Sequence, residues 1–126
     1  MNEEKYKNWL KKAESDFRKA KILFDNGEYD GAAFFSQQCA EKGLKALLIK
    51  EKKELIKTHS VILLGKKLDL PKEFLDKISV FQPIYQATRY PDITIGNSLD
   101  EFNQETAQNL LSISEEVLSW IKEKIK

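Results

Sequence analysis

Few side chains in this sequence can do chemistry, and most of those that can are gathered in three short strings. They are Gln37, Gln38, Glu41 and Lys45 within FFSQQCAEKGLKALL, His59 within KTHSV, and Arg89-Tyr90-Pro91-Asp92. At about 100° per residue, Gln37, Gln38, Glu41 and Lys45 fall on one side of a helix, one turn above another, with Phe34 and Leu48 inside the same stripe. Ala33, Phe35, Cys39, Ala40, Gly43, Leu44, Ala46 and Leu47 fall on the opposite arc, which reads as the core side. Two amides, a carboxylate and an ammonium in that register can hydrogen-bond a base or sugar and add charge near a phosphate. They can equally form an internal ion-pair network or face a second subunit.

Arg89 continues a stripe of Ile78, Phe81 and Tyr85, so its guanidinium is expected against packed surface. A charge placed there needs a carboxylate or a phosphate. Glu41 or Asp16 would supply the first, locking this helix to the preceding hairpin. A bound anion would supply the second, with Lys45 adding charge and the glutamines contacting base or sugar. His59 opens a short helix, either as a half-exposed neighbour of the cap or as a polar group turned toward the same site.

Other chemistries are excluded. The sequence has no GxGxxG, P-loop, GxSxG, CxxC or HExxH motif, and its single histidine has no second with which to hold a metal. No cofactor and no metal site are expected, and no residue is assigned a catalytic role. Cys39 lies on the core arc, away from a nucleophile's position, and one cysteine permits no disulfide within the chain.

At 126 residues the chain is expected to form one domain, 1–126, able to bury a core without metal or disulfide staples. The net charge of +1 carries no message about nucleic acid, but its distribution is uneven. Six lysines lie between Lys42 and Lys57 against Glu51 and Glu54, whereas Tyr90 to Ile121 holds six acids and no base. Such polarisation can steer a partner or pair two copies. No apolar run approaches the length of a membrane span, so a soluble, cytoplasmic protein with no membrane partner is expected.

These residues must be positioned by helices. Tyr6, Trp9, Leu10, Ala13, Phe17, Ala20, Leu23 and Phe24 mark a first helix, with Asn2 as its cap, that Asn26-Gly27 ends. A second runs from about Tyr29 to Lys50 and makes a hairpin with it. Thr58 or Ser60 can cap a short third helix bearing Val61, Ile62, Leu64 and Leu68. A fourth begins near Pro71 and should kink or split at Pro83, then stop at Tyr90-Pro91. Asp92 to Asn97 reads as a loop, and Ser98 to Glu101 as a capping box opening a last helix that carries Phe102, Ala107, Leu110, Leu111, Ser114, Val117, Leu118 and Ile121. Trp9 and Trp120 are expected to pack the two terminal helices against each other. The fold class is all-α: an up-and-down four-helix bundle with one additional short helix.

The strings WLKKAESDFRKAKILFDNGEYDGAAFFSQQCAEKGLKALL, KTHSV and YQATRYPD, in that order and at these separations, resemble the HEPN domain family over nearly the whole chain. They are most similar to its stand-alone members encoded beside minimal nucleotidyltransferases. The resemblance implies a five-helix bundle, frequent homodimerisation, a nucleotide or RNA ligand and, in many members, a metal-independent ribonuclease acting as a toxin in a toxin–antitoxin pair. A minimal nucleotidyltransferase is the implied partner. It also implies a ligand-binding set of Gln37, Gln38, Glu41, Lys45, His59, Arg89, Tyr90 and Asp92. The family's ribonucleases carry an arginine followed, after four to six residues, by histidine. Here those positions hold Thr94, Ile95 and Gly96, and no histidine occurs downstream of Arg89. The resemblance therefore implies a binding module more than a nuclease, with Arg89 and His59 as the alternative, non-standard ribonuclease pair and a purely structural dimer as the third reading.

Overall fold

The computed structural model of the chain describes residues 2–90 and 102–126. Helices α1 (Asn2–Asp25) and α2 (Tyr29–Lys52) are joined by a tight turn in which Gly27 takes a positive φ of 78°. Short helices α3 (Val61–Lys67) and α4 (Lys72–Ile78) follow, then a 3₁₀ turn (Ser79–Phe81), α5 (Ile84–Arg89) and α6 (Gln104–Ile125). Counting the stretch broken before Pro83 as one helix, the described residues of this all-α bundle form four longer segments and one short one. The break is where the sequence predicts it, because Pro83 has no N–H to continue the helical ladder. Ser60, not Thr58, caps α3: its Oγ accepts from the Leu63 N–H at 3.1 Å, while Thr58 Oγ1 accepts from the N–H of Ser60.

Two expected boundaries differ. Asn2 lies inside α1 rather than capping it. The described part of the last helix begins at Gln104, capped by Asn103, whose side-chain oxygen accepts from Thr106 N at 2.9 Å. Asn103 has extended backbone, so buried Phe102 precedes the helix instead of belonging to it. The predicted capping box at Ser98 to Glu101, and the loop before it, lie outside the described residues.

The core runs around α2. Ala33, Ala40, Leu44, Leu47 and Leu48 pack with Val61 and Leu64 of α3, Ile78, Phe81, Ile84 and Ala87 of the broken helix, and Leu110, Val117 and Ile121 of α6. Of the 24 residues of α2, 15 are buried, so this helix has no solvent face through its middle. Its small residues permit that. A methyl group on Gly43 would stand 2.8 Å from Ile121 Cδ1, which marks how closely α6 approaches. Phe35, expected in the core, is only half-buried, under the Lys19 ammonium.

The ring contacts that the two tryptophans make across helices are with α2 and α4, not between the terminal pair. Trp9 lies beneath Lys45 of α2, and Trp120 packs on Phe74 of α4 with ring centroids 4.5 Å apart. α1 and α6 meet instead through such contacts as Lys122 Nζ to Glu14 Oε2 at 2.9 Å. No helix of the described residues is long and apolar enough to cross a membrane.

Cys39 is 1% exposed, and burial, reinforced by the carboxylates of Asp16 and Glu14, pushes its thiol well above the ordinary range. The thiolate is the reactive form. A thiol-reactive dye should therefore leave native Cys39 unmodified at neutral pH and react with one equivalent only once denaturant unfolds the chain; labelling in native buffer would contradict this burial.

Candidate functional site

The site is built around the carboxylate of Glu41, which is 2% exposed. Its Oε2 accepts from Lys45 Nζ at 2.8 Å. Its Oε1 accepts from Gln37 Nε2 at 3.1 Å and Gln38 Nε2 at 3.3 Å and lies 3.2 Å from His59 Nδ1. Gln38 also donates to Gln37 Oε1 at 2.7 Å, and Gln37 to the His59 carbonyl at 3.3 Å. The polar stripe of α2 is thus an internal network and not the wall of an open groove. Leu48, within the same stripe, is fully buried in the core. The periodicity separates a polar from an apolar side of α2, but the polar side is covered too, by the His59 segment that bonds Glu41 and Gln37 and by Trp9 of α1 against Lys45. Only a saturated set of partners makes that burial tolerable.

The network reaches the surface at His59. The segment before α3 holds its backbone, through the Ser60 cap and through Gln82, whose Nε2 donates to Ser60 Oγ at 3.0 Å. Its side chain is 55% exposed and stacks on Tyr85, with centroids 3.8 Å apart and ring planes 12° from parallel. Tyr85 projects from α5, which Ile84 and Ala87 anchor in the core and Thr88 ties to the carbonyls of Ile84 and Tyr85. One turn later Arg89 Nη1 donates to Tyr85 Oη at 3.3 Å. The guanidinium carbon lies 5.2 Å from the Tyr85 centroid and 5.7 Å from that of Phe34.

Arg89 does not pair with Glu41 or Asp16, as one sequence reading has it. Both acids are engaged elsewhere, Glu41 by Lys45 and Asp16 by Lys42 at 2.6 Å. Among the described residues no carboxylate lies within ion-pair distance of Arg89, which is exposed. Lys42 and Lys45, counted in the basic run of the sequence, are thus partly withdrawn from the surface charge.

Of the eight sequence-predicted residues, Gln37, Gln38, Glu41 and Lys45 lie in the interior, and His59 and Arg89 meet on Tyr85. Tyr90 is 48% exposed at the end of α5, and Asp92 lies outside the described residues. Tyr85 and half-buried Phe34 complete the surface. In the sequence Tyr85 belongs to the stripe that Arg89 continues, and their spacing of four is the one at which a guanidinium can stack on the ring, as it does here.

Comparison with known proteins adds to this geometry. Residues 6–125 match the model of the HEPN domain. The chain belongs to the HEPN domain family. Putative toxin MJ1304 of Methanocaldococcus jannaschii is 32% identical over 133 residues, covering 95% of this chain and 88% of that protein. The crystal structure of TT1696 from Thermus thermophilus is similar with a TM-score of 0.86 at 27% identity, over 98% of this chain and 99% of that one. ST0689, an archaeal HEPN homologue, has a TM-score of 0.80 at 31% identity, over 96% and 98% of the two chains. The single histidine of this HEPN chain, His59, lies at the entry to α3, thirty positions before Arg89.

The two charged residues of this region should respond differently to substitution. Glu41→Ala strands the ammonium of Lys45, which is 5% exposed, and should cost about 3–5 kcal/mol in urea unfolding. Arg89→Lys, at an exposed position without an ion pair, should change stability by no more than about 0.5 kcal/mol. A large loss for Arg89→Lys would mean that the guanidinium holds the fold together.

Proposed function

We propose that this HEPN chain is a helical module that binds nucleotide, free or within RNA, on the surface formed by Phe34, His59, Tyr85 and Arg89. In this reading it acts as a homodimer within a toxin–antitoxin pair whose other member is a minimal nucleotidyltransferase. The observation that carries it is the exposed guanidinium of Arg89, laid against two aromatic rings beside a stacked imidazole, with no carboxylate in ion-pair range among the described residues. A guanidinium so placed is matched to phosphate, and neighbouring aromatic faces suit a base. The interior residues Gln37, Gln38, Glu41 and Lys45 serve by holding the surface in place, not by touching ligand. Pairing with a toxin–antitoxin system is supported by the name of the Methanocaldococcus relative. Half-buried Phe34 and exposed Tyr90 beside Arg89 support a subunit contact at the same end of the molecule.

Catalysis is a second reading because His59 and Arg89, 30 positions apart in sequence, both contact Tyr85. An imidazole beside a phosphate-binding arginine is the pairing that metal-independent RNA cleavage uses, and acid–base help of that kind contributes about 100- to 10,000-fold. The binding reading is preferred because the positions after Arg89 at which the resemblance implies a histidine hold Thr94, Ile95 and Gly96, which cannot exchange a proton near neutral pH.

Sedimentation at micromolar concentration should report about twice the 14.6 kDa chain mass; a monomer there removes the dimer from the proposal. Arg89→Ala should weaken nucleotide or RNA binding by about 10- to 100-fold, the range of a charge-assisted hydrogen bond, with the thermal unfolding curve unchanged. In a gel time course with chelator present, RNA should remain intact. Cleavage that disappears in a folded His59→Ala variant would replace the binding reading with the nuclease reading.

A further inference from the structure

His59 differs from an ordinary surface histidine in how completely its ring is fixed. Nδ1 lies 3.2 Å from Glu41 Oε1, the His59 carbonyl accepts from Gln37, and the ring face rests on Tyr85. The other side chains bonded to the Glu41 carboxylate are donors, the Lys45 ammonium on one oxygen and two amide NH₂ groups on the oxygen that the His59 ring nitrogen also faces. A carboxylate in such a setting only accepts, so Nδ1 must carry the hydrogen that it presents to Glu41. In the neutral imidazole the other nitrogen, Nε2, is then an acceptor. Nothing among the described residues bonds Nε2, and the side chain is more than half exposed.

We propose that Glu41 is a positioning residue that sets the His59 tautomer, and that Nε2 of His59 thereby becomes the hydroxyl-reading acceptor of the site, taking a hydrogen bond from the ribose 2′-hydroxyl of a ligand whose phosphate lies on Arg89. This inference rests on the nucleotide-binding reading and sharpens it, since a deoxyribose offers no such donor. Lys45 has a part as well. It sits between Glu41 and the face of Trp9, 2.8 Å from the carboxylate and 5.2 Å from the ring centroid, and so compensates the buried charge without competing for the oxygen that His59 uses.

The experiment measures fluorescence anisotropy of the full-length chain with two labelled hexamers, oligouridylate and oligodeoxyuridylate, which differ only in the 2′-hydroxyl. The readout is the ratio of the two dissociation constants. Wild type should prefer the ribose form by about three- to tenfold, the range of one net hydrogen bond. His59→Phe, which keeps a ring to stack on Tyr85 but has no acceptor, should bring the ratio to about one. Glu41→Gln combined with Lys45→Met removes the carboxylate without stranding an ammonium, and its amide can either donate to Nδ1 or accept from it. The ratio should fall there too, with His59 still present. Failure of wild type to bind either hexamer would sink the nucleotide-binding reading itself. Equal binding of both hexamers, or a ribose preference that survives in His59→Phe, would overturn the assignment to His59 alone; a preference kept in a folded Glu41→Gln/Lys45→Met variant would overturn the positioning role of Glu41.

Discussion

A carboxylate removed from water must be surrounded by donors, and much of the functional end of this molecule is arranged to meet that demand at Glu41. Its partners come from within α2, as Gln37, Gln38 and Lys45, and from the segment entering α3, as His59. The ammonium in turn is covered by Trp9 of α1. One buried charge thus links three parts of the chain that are distant in sequence. A buried ion pair is weak evidence for net stability, since desolvation offsets much of the attraction. Its effect here is geometric: displacing the α3 entry from α2 would break the Glu41–His59 and Gln37–His59 contacts, and displacing α1 would uncover the Lys45 ammonium.

Asp16 and Lys42 repeat the arrangement on the other side of α2. The 0% exposed Asp16 accepts from Lys42 at 2.6 Å, while Lys12 and Lys19 lie 3.7 and 3.9 Å from its other oxygen. That cluster joins α1 to α2 and stops there. The Glu41 cluster continues outward through an imidazole to an aromatic ring and a guanidinium. The first therefore reads as a structural tie and the second as a tie with a surface attached.

The surface depends on the proline break as well. Had the fourth helix run straight through Pro83, the register that brings Tyr85 beneath His59 would have been set by one continuous element. Instead the 3₁₀ turn and the fresh start at Ile84 let Gln82 reach the α3 cap while Ile84 and Ala87 anchor α5 separately. Two short elements, each held at its own point, bring the His59 and Tyr85 rings to 3.8 Å. The result is an imidazole from a different part of the chain on the same tyrosine that Arg89 contacts.

The sequence by itself determined the helical elements and their order, because periodicity, Gly27, Pro83 and the Ser60 cap act over a few residues and need no tertiary partner. It also marked the chemistry-bearing strings, and their order and spacing led to the family. Only the tertiary structure decided which of those residues reach the surface and which face each other. A helix wheel separates two sides of α2 but does not say whether the polar side meets water or another part of the chain; the segment entering α3 and Trp9 of α1 settle that by meeting Glu41, Gln37 and Lys45, and all four polar residues are buried. Arg89 shows the same limit in reverse. Its stripe predicted a packed, paired guanidinium, whereas the helix end leaves it exposed on two aromatic faces, because burial at a helix terminus is fixed by what lies across from it in space and not by its own register.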